Sequence, residues 1–191
     1  MSKIIRSHTR KVVFGYIYMK IFGLMYNQMQ DNFIKPIPEE IYFEEDDREF
    51  LSHLVTPLDI DTTDTFRYNF DDLDRDMSFI CNWFHVDIDN LDQEFMSNIL
   101  AWLDSWYKDI ETILKPFLMQ FDYQDMDMVK QSLLLLAYLE HKHIKTAPTI
   151  IINEAVELAK LYWSPDVYKM INGVLHNYLK SINTISSDMS I

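Results

Sequence analysis

Apolar residues recur at helical spacing through two long stretches of the chain, residues 4–30 and residues 91–120. Repeats of three and four residues are typical of an amphipathic helix with one face in the core. Both stretches are therefore predicted to be helices, and Pro116 is expected either to kink the second or to end it one turn early. The predicted inward positions are Val13, Ile17, Ile21 and Leu24 in the first helix and Phe95, Ile99, Trp102, Trp106, Ile110, Ile113 and Phe117 in the second.

The second half of the chain predicts two more helices with different patterns. Residues 126–143 contain "LLLLAYL", which is apolar on every side of a helix and predicts the central helix of the core. Residues 148–163 are amphipathic, with apolar positions such as Ile151 and Leu158 on one face.

A last helix is predicted from its start signal. Ser164 offers a capping hydroxyl, Pro165 has a suitable fixed φ, and Asp166 carries a charge that the helix dipole favours. The helix is expected to run from Pro165 to about Leu179, and residues 183–191 are expected to form a flexible tail.

Glycine is rare, with three in 191 residues, and each lies in a predicted helix. A glycine weakens a helix by about 1 kcal/mol relative to alanine. Gly15 and Gly23 are eight residues apart on one face, so a close approach of another helix is expected there. Gly173 lies in the third turn of the last helix and is expected to relieve packing against the preceding helix.

Residues 31–90 are acidic and their pattern is harder to interpret. Residues 39–55 fit a helix, and residues 56–76 are rich in acids and turn formers and predict an exposed loop. Residues 77–88 are apolar and aromatic, and fit either a short helix or an extended segment packed on the body.

Composition favours an all-α fold. The chain is 48% hydrophobic and long enough to bury one sizeable core, and its few glycines do not suit the many tight turns of a β-sandwich or barrel. We predict one helical domain over residues 1–182 with an acidic insertion at about 31–90. The lone Cys81 excludes a disulfide within the chain and fits a buried side chain in a reducing cytoplasm. No apolar run is long enough to predict a membrane span.

Charge is distributed unevenly along the chain. The net charge of −13 argues against a general nucleic-acid binder, yet residues 1–30 contain no acid. Their cationic residues form either a local site for an anion or an ordinary solvated face that contacts the acidic segment. These residues are Lys3, Arg6, Arg10, Lys11 and Lys20.

Enzyme and metal motifs are absent from the sequence. There is no P-loop, Gly-rich dinucleotide loop, nucleophile elbow or H-E-x-x-H pattern, so no catalytic residue and no cofactor are predicted. Residues 59–65 lack the glycine of a calcium loop, and His141 and His143 would face different directions on a helix. Asn153 and Glu154 are interpreted as partners of backbone donors near a helix start rather than as catalytic groups.

The stretch "INEAVELAKLYWSPDVYKMINGVL", residues 152–175, resembles the C-terminal signature of the NusB family of transcription antitermination factors. That signature reads roughly I-N-E-A-[IV]-E-L-A-K, an aromatic-containing turn, and then F-[IV]-N-G-[IV]-L. The first helix is similar to the family's Arg-rich opening followed by an L-Y pair, and residues 104–118 look like its middle helix. The resemblance covers residues 4–26 and 95–180 and does not cover 31–90.

The resemblance implies a compact all-helical bundle of two packed halves that binds boxA-type RNA through its basic first helix. It also implies a complex with a small-subunit ribosomal protein that acts as NusE, and with the RNA polymerase elongation complex. The candidate RNA contacts are Lys3, Arg6, Arg10, Lys11, Tyr18, Tyr168 and Lys169. An acidic run is a candidate surface for the basic ribosomal protein, although a solvated helix N-terminus explains it equally well; it consists of Asp122, Asp125 and Asp127.

Several positions depart from the family pattern. Ser7, His8 and Thr9 stand where arginines are common, and Met170 stands where an aromatic residue is expected. Each change removes a cation or a stacking face that RNA recognition uses. Two alternatives therefore stay open: an interaction module that keeps the fold but has lost RNA binding, and a detached specificity subunit of an RNA methyltransferase.

Overall fold

The computed structural model describes residues 4–32, 73–107, 109–118, 121–162 and 165–188. In these ranges the chain forms seven α-helices, three 3-10 turns and one π-helical turn, and no β-strand. The predicted all-α fold class is thus confirmed. The helices are α1 (Arg6–Asn32), α2 (Leu73–Trp83), α3 (Gln93–Tyr107), α4 (Ile110–Leu114), α5 (Met128–Leu139), α6 (Pro148–Tyr162) and α7 (Pro165–Asp188).

Helix α5 occupies the centre of the fold, as its apolar sequence predicts. All residues from 131 to 140 are buried, and α5 packs against α1, α3, α6 and α7. Helices α1, α2 and α3 form an amino-terminal half in which α1 contacts the other two, and α6 packs along α7 in a carboxyl-terminal half. Both halves therefore share α5 as a common core element.

Helix α1 approaches α2 closely at Gly15. A Cβ atom built on Gly15 would lie 2.7 Å from Phe84 Cε2 and 2.9 Å from Ile80 Cγ2. Real Cβ atoms do not sit that close to other carbons, so a larger residue would force the side chains of Phe84 and Ile80 to shift. The close approach predicted for Gly15 is confirmed, and it explains why a poor helix former stands in the middle of a buried helix.

The long helix predicted over residues 91–120 is interrupted before Pro116. Helix α3 ends at Tyr107, α4 is short, and the proline lies in the 3-10 turn Lys115–Phe117. The predicted inward position of Trp102 is wrong, because its side chain is 46% exposed. Leu103 continues the buried stripe instead, and the Trp102 ring stacks on His143 with 4.6 Å between centroids.

Helices α6 and α7 pack on each other, but Gly173 does not lie at their contact. Gly173 is exposed, and a Cβ atom built there would meet nothing within 4 Å. The prediction that it relieves packing against the preceding helix is therefore wrong. Helix α7 continues to Asp188, past its predicted end at about Leu179, and the flexibility of residues 183–191 stays a prediction.

Most of the acidic segment, residues 33–72, lies outside the described residues, as does the predicted cap Ser164. The predicted helix over 39–55 and the acidic insertion stay predictions. The predicted loop over 56–76 is wrong at its end, because α2 begins at Leu73. Of the two alternatives for residues 77–88, the helix is found as far as Trp83, and Cys81 in it is buried as predicted. None of the described helices is long and apolar enough to cross a membrane.

Candidate nucleic-acid interface

The first two turns of α1 are fixed against the start of α3. Arg6 Nε lies 2.9 Å from Asp92 Oδ2, and the backbone N–H of Asp92 donates to Thr9 Oγ1 at 2.9 Å. Asp92 also accepts the backbone N–H of Phe95, at 3.0 Å. That bond, followed by the contact with Arg6, lowers the pKa of the Asp92 carboxyl group. This end of α1 is thus held by side chains while Arg6 itself stays 58% exposed.

Arg10 turns inward from the same helix face. Its side chain is 5% exposed, and its Nε and Nη2 atoms donate to both carboxylate oxygens of Glu140 at 2.5 to 3.1 Å. Its Nη1 lies 3.5 Å from Glu154 Oε2, and its guanidinium carbon lies 5.3 Å from the centroid of the Phe95 ring. Burial by itself lowers the pKa of Arg10, but the hydrogen bonds of Glu140 together with the charges of Glu140, Glu154 and Asp92 outweigh it, and the net shift is upward.

The burial of Arg10 argues against the phosphate contact predicted for it. The Arg10 guanidinium is engaged by two carboxylates and its side chain is 5% exposed, so an incoming phosphate has little access to its remaining N–H donors in this conformation. The apolar repeat of α1 indicates that Arg10 lies on the buried face, since Arg10 precedes Val13 by three residues and Ile17 by seven. Its position on the inward stripe could have been inferred from that spacing, whereas its partner Glu140 lies 130 residues away with no local signal.

Glu140 and Glu154 are partners of Arg10 that the sequence patterns did not reveal. Glu140 begins the π-helical turn Glu140–Ile144, and it is buried at the end of α5. Glu154 was predicted to bond backbone donors at a helix start, but α6 begins at Pro148. Glu154 therefore lies in the second turn, where it faces Arg10.

Lys11 lies beside the seam between α1 and α2. Its Nζ is 4.8 Å from the centroid of the Phe84 ring, the ring that also covers Gly15. A cation over an aromatic ring at an exposed site contributes about 0.5–1 kcal/mol and leaves the ammonium donors available. Together with the exposed Arg6, it gives the start of α1 a cationic surface, and the polar side chain of His8 is exposed beside it.

The remaining candidate RNA contacts are scattered. Tyr18 packs against the core 6.5 Å from Phe14, and burial raises the pKa of its hydroxyl group. Tyr168 is half-buried on α7, where Lys160 Nζ lies 6.0 Å from its ring centroid, and Lys169 is exposed. Lys3 lies outside the described residues.

The acidic run before α5 is exposed, and its members differ in role. Asp122 lies 3.6 Å from Lys115 Nζ, and Asp125 ends a 3-10 turn. Asp127 is the N-cap of α5, where its side chain accepts the backbone N–H of Lys130 at 3.0 Å. A local structural role is thus found for Asp127, and the partner role of all three stays a prediction. Within the described ranges no group of three or more His, Cys, Asp or Glu residues could hold a metal ion.

Comparison with known proteins identifies the family. Residues 46–180, more than half of the chain, match the model of the NusB family. The chain belongs to the NusB family. The match also includes residues 46–94, which the resemblance left out, and it does not include residues 4–26 of the amino-terminal part of the resemblance.

Three relatives carry the name transcription antitermination protein NusB. The protein of Staphylococcus haemolyticus is 35% identical over 116 residues, which cover 59% of this chain and 88% of that protein. The protein of Pseudoalteromonas translucida is 30% identical over 97 residues, with 50% and 71% covered. The protein of Aeromonas salmonicida is 31% identical over 103 residues, with 52% and 74% covered.

Proposed function

We propose that this protein is a non-enzymatic transcription antitermination factor that binds RNA and a protein partner. The single observation that carries the proposal is the match of residues 46–180 to the NusB family, whose relatives are named for antitermination. The finer parts of the proposal are those that the family resemblance implies: boxA-type RNA, a small-subunit ribosomal protein acting as NusE, and the RNA polymerase elongation complex. Localisation in the cytoplasm stays a prediction.

The start of α1 is the proposed phosphate contact. Arg6, His8 and Lys11 are exposed or half-exposed there, and they stand on a helix that is anchored from beneath. Arg6 is the exposed member of its pair with Asp92, at 58% against 15%, and ion pairs at the surface contribute only about 0–1 kcal/mol, so a phosphate can compete for Arg6. Lys3, three residues before Arg6, extends the same cationic sequence.

Arg10 is assigned a different role in this proposal from the one predicted. Its contacts with Glu140, Glu154 and Phe95 join α1 to α5, α6 and α3. Arg10 then positions the helix that carries Arg6 and Lys11, and it does not itself contact the RNA.

Binding of boxA-type RNA, measured by fluorescence anisotropy over a series of salt concentrations, tests the proposal. Arg6→Ala and Lys11→Ala should each weaken binding and flatten the dependence of log K on log salt by about 0.7 for a lost phosphate contact. Lys115→Ala removes an exposed cation from the turn after α4 and is the matched control. Absence of RNA binding at low salt, with and without the ribosomal partner, would contradict the RNA part.

One observation favours a second candidate, an interaction module that has lost RNA binding. Arg10 is withdrawn into the core, and Ser7 and His8 replace cations that the family commonly has. Under this alternative the exposed Asp122 and Asp125 still meet a basic ribosomal protein. A pull-down that retains the ribosomal protein while anisotropy detects no RNA would favour it.

A further inference from the structure

Asp92 lies between the cationic start of α1 and the start of α3, and its two carboxylate oxygens have different partners. Oδ1 accepts the backbone N–H of Phe95 at 3.0 Å, which caps the first turn of α3. Oδ2 lies 2.9 Å from Nε of Arg6. The same acid therefore holds both a helix start and the arginine that is proposed to contact phosphate.

The two members of this ion pair differ in their freedom to move. The backbone N–H of Asp92 donates to Oγ1 of the buried Thr9 at 2.9 Å, and its carbonyl accepts the N–H of Met96 at 3.0 Å. Together with the cap on Phe95, these bonds fix Asp92, whose side chain is 15% exposed, whereas that of Arg6 is 58% exposed. When a phosphate binds Arg6, the arginine side chain can therefore swing outward while Asp92 stays in place.

The release of Arg6 from Asp92 has a cost. Oδ2 of Asp92 loses its donor in a part-buried position, and a charged group that loses its partner in such a position is destabilised. The negative charge also stays beside the incoming phosphate, and two like charges about 4 Å apart in water weaken binding by about fivefold. Both effects oppose an RNA phosphate at Arg6.

We propose that Asp92 is an intramolecular competitor of the RNA phosphate at Arg6 and thereby sets the affinity of the surface at the start of α1. The inference rests on the proposed RNA-binding function, and it adds a residue that opposes binding. A small anion must displace Asp92 for a single contact, whereas a strand that also meets Lys11 offsets that cost with a second phosphate. Asp92 therefore favours an extended strand over a small anion.

Asp92→Asn separates the competitor from the cap. Asparagine is as good an N-cap as aspartate, so the N–H of Phe95 keeps its acceptor while the charge that holds Arg6 is removed. The Kd for boxA-type RNA, measured by fluorescence anisotropy, should decrease by about three- to tenfold, and the urea midpoint should change little. Asp92→Ser, which also caps a helix, is a second variant with the same expected effect. Glu94→Gln, at an exposed position in the first turn of α3, removes the same charge and should decrease the Kd by less than about twofold.

A double-mutant cycle decides whether Asp92 acts through Arg6. In the Arg6→Ala background, Asp92→Asn should leave the Kd nearly unchanged. An equal decrease of the Kd in both backgrounds would assign the effect to general electrostatics and overturn the inference. RNA binding that is weakened by Arg6→Ala but unchanged by Asp92→Asn and Asp92→Ser would also overturn it and leave the proposed function standing. Absence of RNA binding by both the unaltered protein and Asp92→Asn would overturn the inference and the RNA part of the proposed function together.

Discussion

The first and the last helix of this protein use the same kinds of residue in opposite ways. Helix α1 carries Arg10 and Gly15 on sides that are buried, whereas α7 carries Lys169 and Gly173 on a side that faces solvent. In α1 each of these residues has a partner inside the molecule. Arg10 has two carboxylates, and Gly15 has the ring of Phe84 and the branch of Ile80.

The difference shows that the role of a residue type depends on its surroundings in the fold. A buried arginine must be paired, and a glycine beneath an aromatic ring removes a steric clash, so both residues of α1 are explained by the fold. An exposed lysine belongs to the ordinary polar face of an amphipathic helix, whereas no contact in the described part of the chain explains the exposed glycine at 173. Arg10 and Gly15 therefore anchor α1 within the fold, whereas Gly173 of α7 has no packing partner in the described part of the molecule.

Removal of Glu140, the buried partner of Arg10, should have the largest effect on the free energy of unfolding. Glu140→Ala leaves a buried guanidinium with only the more distant Glu154, and loss of one member of a buried ion pair costs about 3–5 kcal/mol. We expect a loss of that order in the free energy of unfolding, measured by urea denaturation. Glu157→Ala, which breaks an exposed pair with Lys160, should change it by less than about 0.5 kcal/mol.

The double variant Arg10→Met, Glu140→Leu sharpens this test. Apolar replacement of a buried ion pair is often neutral or stabilising, so the double variant should recover most of the stability lost in Glu140→Ala. A Glu140→Ala protein as stable as the control would show that Arg10 is not anchored as described.

The two glycines should respond to alanine with opposite signs. Gly15→Ala places a Cβ atom against Phe84 and Ile80, and overpacking costs about 1–3 kcal/mol, against about 1 kcal/mol gained in helix propensity. We expect Gly15→Ala to lower the free energy of unfolding by up to about 2 kcal/mol, while Gly173→Ala raises it. Circular dichroism during thermal and urea unfolding measures both variants. Stabilisation of both would remove the contrast between α1 and α7.

A smaller effect on stability is expected from a change of pH, because the turn Glu140–Ile144 carries two histidines that contact the amino-terminal and the carboxyl-terminal half. His141 meets Tyr178 of α7 edge-on at 6.2 Å, and His143 stacks on Trp102 of α3. Burial, assisted by Lys142 and Lys145, lowers the pKa of both imidazoles below 6.5.

The lowered histidine pKa values fix the direction of the pH effect. As the pH falls below about 6.5, the unfolded chain binds protons that the folded chain does not, and stability declines. Above about pH 6.5 the two histidines are neutral in both states, and their contribution to stability is fully present. The urea midpoint should therefore fall between pH 7.5 and 5.5, and it should fall less in His141→Phe combined with His143→Phe. An equal decline in the variant would assign the pH dependence to other groups.

Periodicity predicted most of the helical fold and much less of the candidate site. The apolar repeats located α1, α3 and α6, because one buried face suffices to define a helix, while a run apolar on every side located α5 and a start signal located α7. The inward turn of Arg10 was not predicted, because a cation at the start of a basic sequence was assigned to the surface despite its spacing from Val13 and Ile17. Its partner Glu140 belongs to a π-helical turn, whose altered register no apolar repeat indicates.

The burial of α5 on every side has a consequence for how the molecule opens. Since residues 131–140 face protein in all directions, neither half can detach without exposing this helix to water. Local fluctuations at either surface therefore leave its amide hydrogens shielded. Those amides are released to solvent only when both halves come apart together.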